Sequence, residues 1–463
     1  MRVLLVKPAI RAEMTFNVSP PLGLGYLAAA LRRAGHDVAL LDCVCRGLDL
    51  AGFVTAARDW APDVVGMSAY SHDLPWVRQA LEAVRQELPR AWTLLGGPHA
   101  TGMGGRVLEQ CPAADLALAG EAESTLPRLL EALDGPRRAL PEGVTGLPGV
   151  LFRGGPATVE PALESDLDAI PLPSWDLMPP AAYPEAPQGT FFRRRPIAPM
   201  LFTRGCPFSC AFCAGPAVAG RKLRRRSLEG IFGELSLLMT VHGVRELHIL
   251  DDSFTLDRKL VQGFCEGVLS QGIDLAWGCP NGVRLDSLDA ATLALMKRAG
   301  CYYVSVGIES GSNRILQAMG KGLELAQIRA QVALARSSGL QVNGFFILGY
   351  PGETEREIRA TIDLSLELGL HRAMFFSFLP LPGTAAWREL ESTGELEAPD
   401  WGGYFQASAP YAPRGMTRDQ LKRLSREAYR RFYLRPVPAL RLLASVRSAG
   451  QVRYILRRAA ACL

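Results

Sequence analysis

A chain of 463 residues, 48% of them apolar and 8% aromatic, has enough material for a large buried core, which argues against a disordered polymer and for two to four domains. A formal net charge of +5 with mostly scattered basic residues argues against a dedicated nucleic-acid binder, which would carry a basic stripe. No apolar run reaches the roughly 20 residues of a bilayer span, and Met1-Arg2-Val3-Leu4-Leu5-Val6 does not read as a signal peptide, so the expected location is the cytoplasm.

Over residues 1–135, short apolar runs at 3–6, 38–41, 64–67, 93–95 and 116–118 alternate with amphipathic stretches. Runs without polar alternation fit strands buried on both faces of a parallel sheet. Helical patterns at 24–34, closed by Gly35, and at 74–88, closed by Pro89, complete a doubly wound α/β domain. Such a domain binds ligands at the carboxyl edge of its sheet. Glycine-bearing loops fall on that edge: Gly23 and Gly25 after Pro20-Pro21, Gly96-Gly97-Pro98-His99, and Gly120-Glu121, with Ser68 and Ser71 closing the third strand. No G-x-G-x-x-G followed by an acid is present, which disfavours NAD.

Residues 136–195 hold Pro171, Pro173, Pro179, Pro180, Pro184 and Pro187 with Trp175 and Tyr183, and read as an ordered, wrapping linker. From 196 to 415, apolar runs at 199–202, 247–250, 275–277, 303–306, 345–348 and 374–377 alternate with helical patterns such as 228–242 and 288–299. Six βα units predict a partial (β/α)6 barrel with its chemistry at the carboxyl ends of the strands. Residues 416–463 read as a small basic helical region. Leu421, Leu424, Ala428, Phe432 and Tyr433 form an apolar stripe, and Arg423, Arg426, Arg430, Arg431, Arg435, Arg441, Arg447, Arg453, Arg457 and Arg458 face few acids. A solvated basic face is favoured there over contact with a membrane or an anionic substrate.

Seven of the ten cysteines are dispersed, and Cys206, Cys210 and Cys213 alone are bunched, in Arg204-Gly205-Cys206-Pro207-Phe208-Ser209-Cys210-Ala211-Phe212-Cys213. Thiolates are the usual ligands of [4Fe–4S] clusters, which ordinarily take four, so three leave one iron open. A zinc site or three buried thiols is the weaker alternative, since no fourth ligand lies at short spacing.

This C-x3-C-x2-C loop after the first strand of the second alternation resembles the signature of the radical S-adenosylmethionine (SAM) superfamily. The resemblance implies that Cys206, Cys210 and Cys213 hold a [4Fe–4S] cluster whose open iron chelates SAM, and that reductive cleavage yields a radical able to abstract hydrogen from unactivated carbon. It also implies SAM contacts from Phe212, from Asp252 and Ser253 at the end of the second strand, from Glu309 or Ser310 at the end of the fourth, and from Gly349 beside the adenine.

The amino-terminal part resembles the cobalamin-binding domain preceding that barrel in a large subfamily, and the likeness runs through Leu172-Pro173-Ser174-Trp175-Asp176 to Phe432-Tyr433-Leu434-Arg435-Pro436. Implied cobalamin contacts are Gly23, Gly25, Ser68, Gly96, Gly97, His99, Gly120 and Glu121. The D-x-H-x-x-G motif that supplies cobalt with a lower ligand is missing; His72 and His99 lack its spacing, and His99 is expected to touch the corrin rather than the metal. A module that has lost its cofactor is the alternative.

The function implied is a cobalamin-dependent methyltransferase, working through methylcobalamin on a carbon or phosphorus of a small-molecule natural product. Oxidative cyclisation or rearrangement without methyl transfer is the second reading. A tRNA methylthiotransferase ranks lower, because Cys43, Cys45 and Cys111 are not spaced for a second cluster, as does an inert corrinoid carrier. Expected partners are the substrate and an external electron donor such as flavodoxin or ferredoxin, with the chain acting as a monomer and no nucleic acid bound. Trp277, Tyr302, Tyr303, Phe376, Phe378 and Trp387 are candidates for substrate selection or for core.

Overall fold

The computed structural model describes residues 1–9, 18–133, 137, 140, 143–184 and 192–462. Pro187 and the expected boundary at 135/136 lie outside the described residues, as do the side chains of Arg457 and Arg458.

The first sheet contains β1 (Arg2–Lys7), β2 (Asp37–Asp42), β3 (Val64–Ser68), β4 (Trp92–Gly96), β5 (Leu116–Leu118) and β6 (Val150–Phe152), in the order β2-β1-β3-β4-β5-β6. The first five are parallel, and β6 runs antiparallel on β5. The alternation of strand side chains sends Val3, Leu5, Val64 and Leu94 into one core and Leu4, Val6, Val65 and Leu95 into another. Helix Leu22–Arg33 seats Leu24, Ala28 and Leu31 on the first, and helix Leu74–Glu87 seats Val77, Leu81 and Val84 on the second. Helices on both faces explain the continuous apolar strand runs. The strand order reverses between β1 and β3, which puts the ligand-binding switch point there.

The proline-rich stretch does wrap, and it also contributes β6, which the sequence pattern did not announce. Ser174 N–H donates to Gly25 O at 3.0 Å, and the buried Trp175 donates from Nε1 to Glu234 Oε1 at 3.1 Å, strapping the first sheet to the second.

The second sheet is built from β7 (Ile197–Met200) and, after the short antiparallel pair β8 (Thr203–Arg204) and β9 (Arg224–Arg225), from β10 (Glu246–Ile249), β11 (Ala276–Val283), β12 (Cys301–Glu309), β13 (Gln341–Leu348) and β14 (Arg372–Ser377). Its order is β14-β13-β12-β11-β10-β7 and every pair is parallel. β7 and β14 are its two edges, so the six strands make an open, partial barrel. The outer helices start on side-chain caps: Ser227, Asp257, Asp289 and Thr354 each accept from a backbone N–H in the first turn. No described helix is long and apolar enough to cross a membrane.

An exposed strand edge invites pairing with another chain. Helix Arg418–Tyr433 covers β14, burying Leu421, Leu424, Ala428 and Phe432 of its apolar stripe while Tyr433 stays half-buried. Tyr429 and Tyr433 replace the missing strand: each hydroxyl accepts from and donates to one β14 residue, Phe375 and Ala373 respectively, at 2.9–3.3 Å. Changing both to Phe strips four hydrogen bonds from the edge, and at about 0.5–1.5 kcal/mol each the double variant is expected to lose roughly 2 kcal/mol or more in denaturant unfolding. An unchanged midpoint would show the hydroxyls to be idle.

Candidate active site at the facing sheet edges

The cysteine loop is fixed at its base before any cysteine is reached. Asp251, fully buried after β10, accepts from Phe202 N–H at 2.8 Å, Thr203 N–H at 2.8 Å and Thr203 Oγ1 at 2.7 Å. Burial outweighs those bonds and pushes its carboxyl up to about 7. The strands β8 and β9 then close the loop as a hairpin, and Cys206 N–H bonds Gly220 O at 3.0 Å. Gly205 sits at φ +96° with the Lys222 carbonyl 2.3 Å from where a Cβ would be, so only glycine fits before the first cysteine.

Ser253 Oγ donates to Cys206 Sγ at 3.2 Å and Gly215 N–H to Cys213 Sγ at 3.4 Å. The Asp252 carboxylate flanks Cys213: the two side chains come within 3.6 and 3.4 Å of one point, the Cβ position of Gly215. Burial pushes the Cys213 thiol up to about 12, with Asp252, Cys210 and Cys206 adding to the rise. Burial also raises Cys210, while Lys321 and Arg284 pull it down. The three thiols thus share one field, in which mutual repulsion disfavours three thiolates unless positive charge sits among them. Among the described residues no three His, Cys, Asp or Glu side chains group around a single metal ion. Three sulfurs on one loop, two of them held by Ser253 Oγ and Gly215 N–H, are a donor set that fits the cluster the sequence implied.

Glu309 ends β12 at φ +67°, a strained conformation for a non-glycine residue. Its carboxylate is held by Lys321 Nζ at 2.7 Å with both side chains nearly buried. Lys321 and Arg284 were not picked out by motif reading; the signal was Gly320-Lys321-Gly322, two glycines at φ +63° and +66° that aim one lysine inward. Asp252, Ser253 and Glu309 therefore gather about the cysteines.

Two further residues of the expected SAM set have partners within the protein. Ser310, fully buried, accepts from Ser312 N–H at 3.2 Å and faces Thr361, so it shapes the turn into the next helix. Gly349 (φ +80°) packs against Leu421 of the covering helix, 2.6 Å from a Cβ, and donates to Glu353 Oε2. Phe212, half-buried, packs with Ile315, Met319 and Tyr350.

Glu353 accepts from Gly349 and Tyr350 N–H through Oε2, while its buried Oε1 has no partner. Burial pushes its carboxyl up to about 8. A folded-state value above the unfolded one means stability fully present below about pH 4.5 and lost as pH rises toward 8. Glu353→Gln is expected to flatten that decline; equal pH slopes in urea melts of the two proteins would rule it out.

At the first sheet, Ser68, Gly96 and Gly97 lie together at the ends of β3 and β4. Gly97 (φ +92°) approaches Ser68 Oγ and Ala69 N to 2.8 Å of a Cβ position, and Gly23 is exposed with nothing near it. The other expected cobalamin contacts have structural duties. His99, 1% exposed, has Nδ1 2.9 Å from Ser71 Oγ and Nε2 2.9 Å from Gln110 Oε1, and burial drops its pKa to about 4. Gly25 makes room for Met178, and Gly120 (φ +85°) for the Ala162 backbone. Glu121 makes a two-pronged pair with Arg224 at 2.7 Å, and neighbouring Glu123 holds Arg204 at 2.8 Å. The arginines on both sides of the cysteine hairpin are thus gripped by the loop after β5.

Tyr70, just past β3, also escaped the sequence reading. The residue is 59% exposed, and desolvation by the nearby protein, then Asp73, then Asp252, push its pKa up. The ion pairs of Glu121 and Glu123 thus set the carboxyl ends of the two sheets against each other, with Tyr70 on one side and Cys213 on the other exposed in the cleft between them.

Comparison with known proteins agrees with this geometry. The family description "B12 binding domain" matches residues 11–130 and "Radical SAM superfamily" matches 200–365. The chain is 32% identical to an uncharacterized methyltransferase of Pyrococcus horikoshii, over 94% of this chain and 93% of that one. It is 31% identical to the cytidylyl-2-hydroxyethylphosphonate methyltransferase of Streptomyces wedmorensis, covering 86% and 83%. The solved structure of OxsB, a cobalamin-dependent SAM radical enzyme with aqua-cobalamin and SAM bound, shares its fold at a TM-score of 0.75 and 17% identity, over 98% of this chain and 70% of that one.

Proposed function

This chain belongs to the radical SAM family that carries an amino-terminal B12-binding domain, and on that premise we propose that it is a methyltransferase acting on a carbon or phosphorus of a small molecule. The carrying observation is the two ion pairs, Glu121–Arg224 and Glu123–Arg204, that tie the loop after β5 to both arms of the cysteine hairpin and so bring the carboxyl ends of the two sheets together. A methyl donor and an activated substrate must meet in such a place.

A [4Fe–4S] cluster supplies, when bound, the electron that cleaves SAM, and cobalamin supplies the methyl group. Cys206, Cys210 and Cys213 bind the cluster, and Ser253 Oγ and Gly215 N–H hold two of the sulfurs in place. Asp252 accepts from the SAM amine, and Glu309, braced by Lys321, accepts from the ribose hydroxyls. Ser68, Gly96 and Gly97 form the floor for cobalamin, with Gly23 at its rim. An outside protein such as flavodoxin or ferredoxin delivers the electron, and the chain works as a monomer. The division at 1–135, 136–195, 196–415 and 416–463 belongs to the same proposal.

The test is product stoichiometry. Anaerobically loaded protein given SAM, reductant and substrate is expected to form 5′-deoxyadenosine and S-adenosylhomocysteine together. Deoxyadenosine alone would favour cyclisation or rearrangement instead.

A further inference from the structure

Large apolar side chains left in water concentrate at one end of this protein. Among the described residues, six of the eleven exposed large hydrophobics lie between 434 and 456. Val437, Leu440 and Leu443, 55–68% exposed, stand three residues apart on one side of helix Pro436–Ala444 and form a ridge, and Leu434, 66% exposed, precedes them at the end of helix Arg418–Tyr433. Val452 and Leu456 on helix Ala449–Cys462 are exposed as well.

The charge beside the ridge has one sign. After Glu427 the chain carries eight arginines and no acidic residue. On the inner side of the same helix, a cavity of about 220 Å³ opens at the amino-terminal end of the barrel strands. Arg193, Arg372, Arg441 and Arg447 line it together with His371; the nearest carboxylate, Glu246, is buried behind it, accepting from the lining Tyr302 hydroxyl and from Arg193 N–H. The field there is strong enough that Arg441, Arg372 and Arg336 add to burial in lowering the His371 pKa to about 4.

We propose that the carboxyl-terminal helices dock this protein on an anionic bilayer surface, with an acidic lipid headgroup entering the arginine-lined cavity and the leucine ridge entering the acyl boundary. A cationic patch beside an apolar ridge is the pattern of an interfacial helix. A second copy of the chain fits worse, because a symmetric interface would set the acid-free segment against itself. The site lies at the barrel end opposite the cysteines, so docking leaves the cleft open.

The test is sedimentation of the loaded full-length protein with vesicles. Binding to phosphatidylglycerol vesicles, absent with pure phosphatidylcholine and weakened by salt, is expected. Leu440→Ser with Leu443→Ser is expected to weaken it by roughly tenfold or more, and Arg441→Glu with Arg447→Glu by a similar factor, with 5′-deoxyadenosine formation in detergent-free buffer unchanged. Equal binding to both vesicle types, or undiminished binding by either double variant, would overturn the proposal. So would calorimetric binding of inorganic phosphate without vesicle attachment, which leaves a small-anion site only. A dimer in sedimentation velocity that the leucine variant dissolves would assign the ridge to self-association instead.

Discussion

Replacing Cys210 with Ala is expected to bring SAM cleavage down to the background of cluster-free protein. The loop offers three sulfurs and no more: the other described cysteines, apart from half-buried Cys45, are buried, and Cys45 lies in the first sheet's region. No neighbour can take over, because Asp252 already flanks Cys213 and Ser253 already donates to Cys206. Loss of one thiolate also leaves Lys321 and Arg284 facing less negative charge than they were placed to balance. Ser253→Ala provides the contrast. It removes only a hydrogen bond to a ligand sulfur, so cluster retention is expected to fall about 10–100-fold without disappearing. Iron content and 5′-deoxyadenosine yield, measured side by side, read both effects; a Cys210→Ala protein that turns over normally would remove the basis of the assignment.

Arg224→Ala is expected to cost about 3–5 kcal/mol, the range for breaking a buried charge pair from one side. The side chains of Arg224 and Glu121 are 7% and 9% exposed, and the guanidinium also donates to the Glu164 and Ala219 carbonyls. Its removal leaves a buried carboxylate with only Arg204, at 3.6 Å, and the Glu164 N–H for partners. Because β9 carries Arg224, the loss also frees one end of the cysteine hairpin from the first sheet. Arg224→Lys keeps the charge but not the two-pronged geometry and is expected to fall between. Denaturant melts give the stability, and the ratio of S-adenosylhomocysteine to 5′-deoxyadenosine reports whether the cleft has lost its alignment. A variant as stable as the parent, with an unchanged ratio, would reduce the pair to decoration.

How much of this was written locally differs from element to element. The buried parallel strands were legible because continuous apolar runs such as Val3-Leu4-Leu5-Val6 and Phe345-Phe346-Ile347-Leu348 need no knowledge of their neighbours. The cysteine triplet was legible because its spacing carries the chemistry. The pair β8–β9 and the strand β6 were not, since strands of two or three residues have no period and exist only through distant partners. The same reason hid the protein partners of His99, Gly25 and Glu121. Each sits in a loop that looks built for a ligand, but Gln110, Met178 and Arg224, the residues that occupy them, come from elsewhere in the chain. Glycine at a sheet edge signals a close approach without saying whether a cofactor or the protein itself comes near. Tyr70 makes the opposite case: nothing in its local sequence matched a motif, and only the fold brings it to the cleft.

The most direct test of the cluster assignment is spectroscopic. Protein loaded and reduced without oxygen is expected to contain iron and sulfide in the ratio of a [4Fe–4S] cube, with an electron paramagnetic resonance spectrum that shifts when SAM is added. Zinc in place of iron, or a spectrum indifferent to SAM, would contradict it.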